Sequence, residues 1–390
     1  MGRWIFLKKA CKEELLKFKQ SLISNTSEVN DEIAATIIEA EVIKKPSFID
    51  KASIKEKLTV NDQIEYLKFK GITFNHCSEA IAKDILENRT YYYKVTAFRK
   101  NFKKDNNKYK NVDFGLLNDL ATIDMHFRYL FLKLSLDIEH NVKALLIKLI
   151  TESDEDGYKI VEEYKNFEIE SYRKNLSKPE KGFSQEEIEK KLSNYETIDK
   201  KLMESYKSPR DYSYDLINKR KNKPSIWVLI ELMSYGQLYF FINFYVESKK
   251  FKYRELSLAK SLLLDSKNIR DSAAHSRPIL FNIVGPNEFL IPYNKRPKLQ
   301  VKNYLTQKCK LNDSLVDVKI RNLKIHDISA LLYLHDHYVN GEIARIERKK
   351  ELVNLLKRCR RKQDYYDNQS EFGNVFYMFL KIIKNYSVKK

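Results

Sequence analysis

Along the middle of the chain, apolar residues recur at steps of three and four: Leu116, Leu120, Ile123, Phe127, Leu130, Leu134, Ile138, Val142, Leu145 and Leu149. That spacing keeps one face of a 3.6-residue helix apolar and predicts a single long core-facing helix starting at Asp113. Residues 226–247 place Trp227, Ile230, Leu238, Phe241 and Tyr245 on one face, and Gly236 inside that stretch points to close approach by a neighbouring helix. A further helix is expected over 255–264. Asp265 or Ser266 can cap a second, shorter one that must stop near Arg277, because Pro278 disfavours helical geometry in the residue before it. Towards the C-terminus, helices are expected around 325–339 and 342–362. Near the N-terminus, Thr59 is placed to cap a helix carrying Ile64 and Leu67 and ended by Gly71. Ile5, Leu15, Leu16 and Phe18, set among basic residues in 1–24, read as an amphipathic basic helix or arm.

This pattern predicts an all-α fold. Only 9 glycines and 8 prolines in 390 residues leave too few turn formers for a sandwich or barrel of short strands. A small hairpin at 279–300, turning on Val284-Gly285-Pro286-Asn287, is the single β element expected. The domain plan is a basic N-terminal arm (1–44), a small helical module (45–112), a helical core (113–280) and a basic helical C-terminal region (281–390). Residues 153–221, charge-rich and interrupted by Pro179, Gly182 and Pro209, divide the core into 113–152 and 222–280 as an exposed helical insertion.

Composition narrows the partners. With 43% hydrophobic residues the chain can bury a sizeable core. Its 72 Lys+Arg against 53 Asp+Glu give +19, a field that concentrates polyanions at the surface and makes nucleic acid the natural partner. AT-rich codon usage is the competing source of so much lysine. Cys11, Cys77, Cys309 and Cys359 form no C-x-x-C pair, which suggests neither a zinc site nor a disulfide framework and fits a reducing cytoplasm. No long uncharged apolar run is present, and Met1-Gly2-Arg3-Trp4-Ile5-Phe6-Leu7 meets Lys8 and Lys9 too soon for an export signal, so no membrane partner is expected. Phosphate-binding loop, H-E-x-x-H and dinucleotide fingerprints are all missing, and no cofactor or metal is expected.

The chemistry concentrates in Asn268-Ile269-Arg270-Asp271-Ser272-Ala273-Ala274-His275-Ser276-Arg277. A guanidinium holds a phosphate bidentately, and an imidazole moves a proton near neutral pH. Metal-independent RNA cleavage needs those two functions, because the ribose 2′-hydroxyl is itself the nucleophile. Positions five apart on a regular helix point about 140° away from each other, so Arg270 and His275 need either a distorted last turn or a second subunit to meet at one phosphate. By itself R-x-x-x-x-H is a weak pattern, equally the mark of a surface arginine and a helix-terminal histidine without a role.

The surrounding blocks resemble the Abi-like family of bacterial abortive-infection proteins, of the AbiD/AbiF type, whose core belongs to the HEPN superfamily. Similar blocks are Thr59 to Gly71, the run Tyr91-Tyr92-Tyr93-Lys94-Val95-Thr96-Ala97-Phe98, and Phe114 to Lys143 with Ile123-Asp124 and Ile138-Glu139. The closest is Pro224-Ser225-Ile226-Trp227-Val228-Leu229-Ile230-Glu231-Leu232-Met233-Ser234-Tyr235-Gly236, followed by the motif. The family motif often reads R-N-x-x-A-H-H-x-R; here Asp271 replaces the Asn, Ser276 replaces the second His, and Arg277 stands one residue nearer.

The resemblance implies a HEPN helical bundle and a cytoplasmic bacterial protein, a homodimer joining two copies of Arg270 and His275 in one cleft. Single-stranded RNA would be cut without a metal, in antiphage defence, with a small structured noncoding RNA as restraining partner. Asp271, Glu139 and Asn268 are expected to support the catalytic pair, Glu139 by orienting Arg270. Arg277 and the basic helix residues Arg345, Arg348, Lys349, Lys357, Arg358, Arg360 and Arg361 are expected to bind RNA. The alternative is a non-catalytic RNA-binding scaffold, and a third reading is a protein-interaction module. Two other clusters have weaker claims. His335-Asp336-His337 makes a poor chelate, since neighbours one and two apart on a helix do not share a face. Tyr91, Tyr92 and Tyr93, with nearby Arg89, Lys94 and Arg99, could stack bases and bind phosphates, although a packed tyrosine cluster is favoured because only part of such a run can face outward at once.

Overall fold

The computed structural model describes residues 47–205, 208–220, 222–248, 254–285, 290–291 and 296–388. The expected N-terminal basic arm lies outside them. By its internal contacts the chain divides into Met1–Asp62 and Gln63–Lys390. In the first unit, Ser47 caps the short helix α1 (Phe48–Ser53), and Thr59 and Asp62 exchange the reciprocal bonds of a capping box. That box starts α2 (Val60–Phe69), which stops before Gly71, whose φ of +84° suits glycine.

The second unit is all-α apart from two-residue strands. β1 (Ile72–Thr73) leads to α3 (Glu79–Asp84), which runs on into a wider turn over Ile85–Arg89, and then to α4 (Tyr92–Thr96) with a tighter turn over Ala97–Asn101. β2 (Lys104–Asp105) and β3 (Lys108–Tyr109) form a small antiparallel pair, and β4 (Val112–Asp113) pairs in parallel with β1, Ile72 opposite Val112. Asp113 then caps α5 (Phe114–Thr151): its carboxylate accepts from Gly115 N at 2.7 Å, and also from Thr73 Oγ1 and Asn75 N.

α5 is the predicted long helix. Its stripe is buried from Leu116 through Val142, but the last two turns bury Leu146 and Ile150 rather than Leu145 and Leu149, because steps of four carry the contact line on from Val142. The insertion holds α6 (Lys159–Leu176), α7 (Gln185–Ser193), α8 (Ile198–Ser205) and α9 (Tyr214–Arg220). It is less exposed than expected: Ile160, Val161 and Tyr164 of α6 are buried.

The core resumes with two helices where one was predicted, α10 (Ile226–Leu232) and α11 (Tyr235–Ser248), interrupted at Met233 and Ser234, where Gln237 Oε1 accepts from Ser234 N at 2.8 Å. Trp227 seals the insertion's neck. Its ring lies where a Cβ on Gly157 would be, 2.0 Å from the nearest ring carbon, and its Nε1 donates to Thr151 Oγ1 at 3.2 Å. From α6, Tyr164 packs edge-on against Phe241 of α11, with ring centroids 5.0 Å apart.

α12 (Ser257–Ala274) is one continuous helix where two were expected. Ser266 is buried inside it, donating to Leu263 O and lying 2.7 Å from the Tyr235 hydroxyl, so it does not cap. The chain continues through α13 (Leu299–Asn303), with a wider turn over Tyr304–Lys308, then α14 (Asp313–Lys319), α15 (Leu323–Tyr338), α16 (Glu342–Cys359) and α17 (Ser370–Asn385). The hairpin expected at 279–300 falls partly outside the described residues. In the described part, Leu290 makes one isolated bridge to Asn322, and no hairpin forms. α12 packs most extensively on α15, then on α11 and α5, and so runs through the centre of the bundle. Among the described residues no helix is long and apolar enough to cross a membrane.

Candidate functional site

The motif occupies the last turns of α12, and the way that helix ends positions it. His275 is the C-cap, its N–H donating to Asp271 O at 3.0 Å. Ser276 adopts the left-handed conformation (φ +55°). Ser276 N donates to Ala273 O and Arg277 N to Ser272 O at 2.8 Å, the paired bonds of a Schellman stop. The histidine therefore stands at the exit of the helix with backbone angles of −92° and 15°, outside its regular turns.

Glycine is the usual residue at such a stop, and serine in its place is held from both sides. The Arg128 guanidinium donates to Ser276 Oγ, and the Lys94 ammonium to Ser276 O. Arg128 is anchored in turn by Asp124 on α5, at 2.8 Å, both side chains being buried. Asp124 Oδ1 accepts from Ile279 N at 2.6 Å and Leu280 N at 2.7 Å. Asn101 Oδ1 accepts from Ile283 N and Val284 N, and Asn322 donates to Asn282 O. At Gly285 a Cβ would fall 2.0 Å from Lys100 O, so only glycine fits there. The segment leaving the motif is thus bolted to α5 and to the end of α4's turn. Arg128 was not singled out in the sequence; the i, i+4 spacing of Asp124 and Arg128 on one predicted helix was the available signal.

Arg270 is about a quarter exposed, with Nη1 3.2 Å from Asp271 Oδ1, while its buried Nε has no partner among the described residues. Burial alone would raise the Asp271 pKa, but hydrogen bonds from Lys267 and Arg270 outweigh it and hold the carboxyl below its ordinary range. His275 is exposed, and its ring has no hydrogen-bond partner among the described residues. Arg270 and His275 likewise share no hydrogen bond. Gly236 does meet the motif helix as expected: a Cβ there would come 2.7 Å from Lys267 Cε.

The expected supports are placed differently. Glu139 pairs with Lys143 at 3.1 Å rather than with Arg270, although both Glu139 and Arg270 act on the buried Tyr235 phenol, whose pKa is raised chiefly by burial. Asn268 Nδ2 donates to Asp327 Oδ2 at 3.1 Å, on the side of α12 facing α15. There Asp265, His326 and Asp327 bring ligand atoms within 4.8 Å of one another. Lys298 Nζ already lies 2.7 Å from Asp265, and Asp327 is bonded by Asn268 and His326, so the cluster is neutralised from within.

Of the basic residues expected to bind RNA, Arg345 is fully buried, Arg348 pairs with Asp137 at 2.6 Å and with Glu351, Lys349 donates to Tyr386 O, and Arg358 pairs with Asp119 at 2.6 Å. Lys357, Arg360, Arg361 and, at the motif, Arg277 are exposed. Four of the seven basic residues predicted on that face are therefore paired within the fold. His335, Asp336 and His337 separate as well: His335 bonds Asp137, Asp336 bonds Arg345, and the His337 ring packs on Tyr338.

A family model described as Abi-like protein matches residues 84–282, half of the chain, from the end of α3 through the insertion to the bolted segment after the motif. The similar block at Thr59 to Gly71 lies outside that match. No curated protein and no solved structure matches the chain.

Proposed function

The chain belongs to the Abi-like protein family, and from that premise we propose that it serves phage resistance as a metal-independent endoribonuclease of HEPN type. The observation that carries this reading is the end of α12. An arginine whose partly exposed guanidinium pairs with Asp271 and an exposed histidine without a hydrogen-bond partner among the described residues stand at one helix terminus, in a chain of net charge +19. Groups that only stabilise a fold are normally spent on each other; these two are available to a ligand.

In the reaction, His275 takes the proton of a ribose 2′-hydroxyl, or returns one to the departing 5′-oxygen. The 2′-oxygen forms its bond to phosphorus as the bond to the 5′-oxygen breaks, leaving a cyclic phosphate. Arg270 holds the phosphate oxygens and stabilises the charge that develops on them. Asp271 keeps one edge of that guanidinium in place. Since the two side chains do not bond within one chain, a homodimer that joins two copies supplies the composite cleft. Exposed Lys357, Arg360 and Arg361 suit the backbone of a structured RNA partner.

Replacement of either residue by alanine should lower cleavage of single-stranded RNA by at least about a hundredfold and remove toxicity to the host cell, with RNA binding and fold retained. Equal cleavage by His275→Ala and the parent protein would overturn the reading. The separation of Arg270 from His275 favours one alternative, an RNA-binding scaffold without cleavage; steeply salt-dependent binding that yields no products would establish it.

A further inference from the structure

We propose that Tyr91 and Tyr93, with Lys94, form a subsite that stacks an unpaired RNA base beside the phosphodiester cut at His275. The inference rests on the ribonuclease reading and deepens it. The sequence favoured a packed tyrosine cluster, and the structure divides it. Tyr92 turns inward, its hydroxyl accepting from Arg99 Nη1 at 3.4 Å with the guanidinium 5.6 Å from its ring. Tyr91 and Tyr93 turn outward, 59% and 80% exposed. Two neighbouring tyrosines left so open are apolar surface that the fold itself does not use.

Their placement says what covers them. Lys94 has its ammonium 6.0 Å from the Tyr91 ring, and the same ammonium bonds the carbonyl of Ser276, the residue after His275. The aromatic pair is therefore tied through one side chain to the turn that carries the candidate catalytic group. Tyr93 is steadied by the edge of Tyr92, with centroids 5.7 Å apart. Exposed rings beside a cation are the means by which proteins hold single-stranded nucleic acid: each base offers a π-face to a ring, and the cation meets the backbone. A duplex keeps its bases stacked on one another and cannot present them, so the subsite selects unpaired RNA. That selectivity is absent from Arg270 and His275, which address only phosphate and ribose.

The test uses the full-length His275→Ala protein, so that RNA stays intact, and an adenine-rich single-stranded oligoribonucleotide as probe. Adding Tyr91→Ala and Tyr93→Ala should weaken binding about tenfold or more, whereas Tyr91→Phe and Tyr93→Phe, which keep the rings, should bind like the parent. Affinity for a duplex RNA should be equal in all three. Unchanged thermal unfolding controls for the fold, since both rings are exposed. Alanine and phenylalanine pairs that bind the single strand equally would overturn the subsite and leave the rings to another partner, such as a protein. Continued cleavage by His275→Ala would instead overturn the ribonuclease reading, so the two failures are distinguishable.

Discussion

Two arginines of this chain, Arg270 and Arg345, sit near the ends of their helices in stretches of similar basicity, and the fold treats them in opposite ways. Arg345 is buried between α15, α16 and the C-terminal segment. Its Nε donates to Ser387 O at 2.8 Å, Nη1 to Asp336 O and Val339 O at 2.9 and 2.6 Å, and Nη2 to Asp336 Oδ1 at 2.8 Å. The Tyr386 ring lies 5.2 Å from its guanidinium. Arg270 has one weak pairing and a donor with no acceptor. A guanidinium that ties three backbone carbonyls and a carboxylate into a corner holds structure together. One that pairs with a single neighbouring carboxylate and stays partly exposed is held by the fold much less firmly.

The largest effect expected from this contrast is on stability. Arg345→Ala leaves three backbone carbonyls without their donor and takes one of two cationic partners, Arg345 but not Lys308, from the buried Asp336 carboxylate, and should cost about 3–5 kcal/mol. Arg270→Ala should stay within about 1 kcal/mol. Denaturant unfolding of both variants measures the difference, and equal losses would dissolve the distinction.

Acid sharpens the same comparison. Next to Arg345, the buried His335 ring lies between Asp137, 3.1 Å from its Nε2, and the Tyr386 hydroxyl, 2.7 Å from its Nδ1. Burial lowers the His335 pKa from 6.5. As pH falls through that value the unfolded chain takes a proton that the buried ring refuses, and stability declines. For Asp137, burial would raise the pKa, but bonds from His335 and Arg348 bring it from 3.8 down to about 2. Its contribution, about 2 kcal/mol, is present above pH 3.8 and is lost as pH falls towards 2. Stability measured against pH should therefore drop in two stages, and Asp137→Asn should remove the lower one.

The smallest effect belongs to the exposed end of α16. Arg361→Ala should change stability by less than about 0.5 kcal/mol and reduce the salt slope of RNA binding by about 1. A stability loss comparable with that of Arg345→Ala would show that exposure does not separate the two kinds of arginine.

Much of the frame was legible in the sequence. Asp113 starts α5, Thr59 caps α2 and Gly71 follows its end, each by chemistry confined largely to neighbouring residues, and α12 ends a few residues before Pro278. The errors share a cause. Asp265 and Ser266 have the side chains of a helix cap, yet Lys298 pairs with the first and Tyr235 bonds the second, so α12 continues through them. The three tyrosines look alike until Arg99 draws Tyr92 inward. The basic helix looks like one surface until Asp336, on the preceding helix, and Asp119, distant in sequence, take Arg345 and Arg358.

By itself, then, the sequence determined the all-α class, the long central helix and the starts of α2 and α5, because helical period, caps and breakers act over one or two turns. Only the tertiary structure decided which cations are spent, which rings face out, and that Arg128, Asp124 and Lys94 fasten the turn carrying His275. Those outcomes depend on partners brought together from opposite parts of the chain, and no local pattern records which donor meets which acceptor.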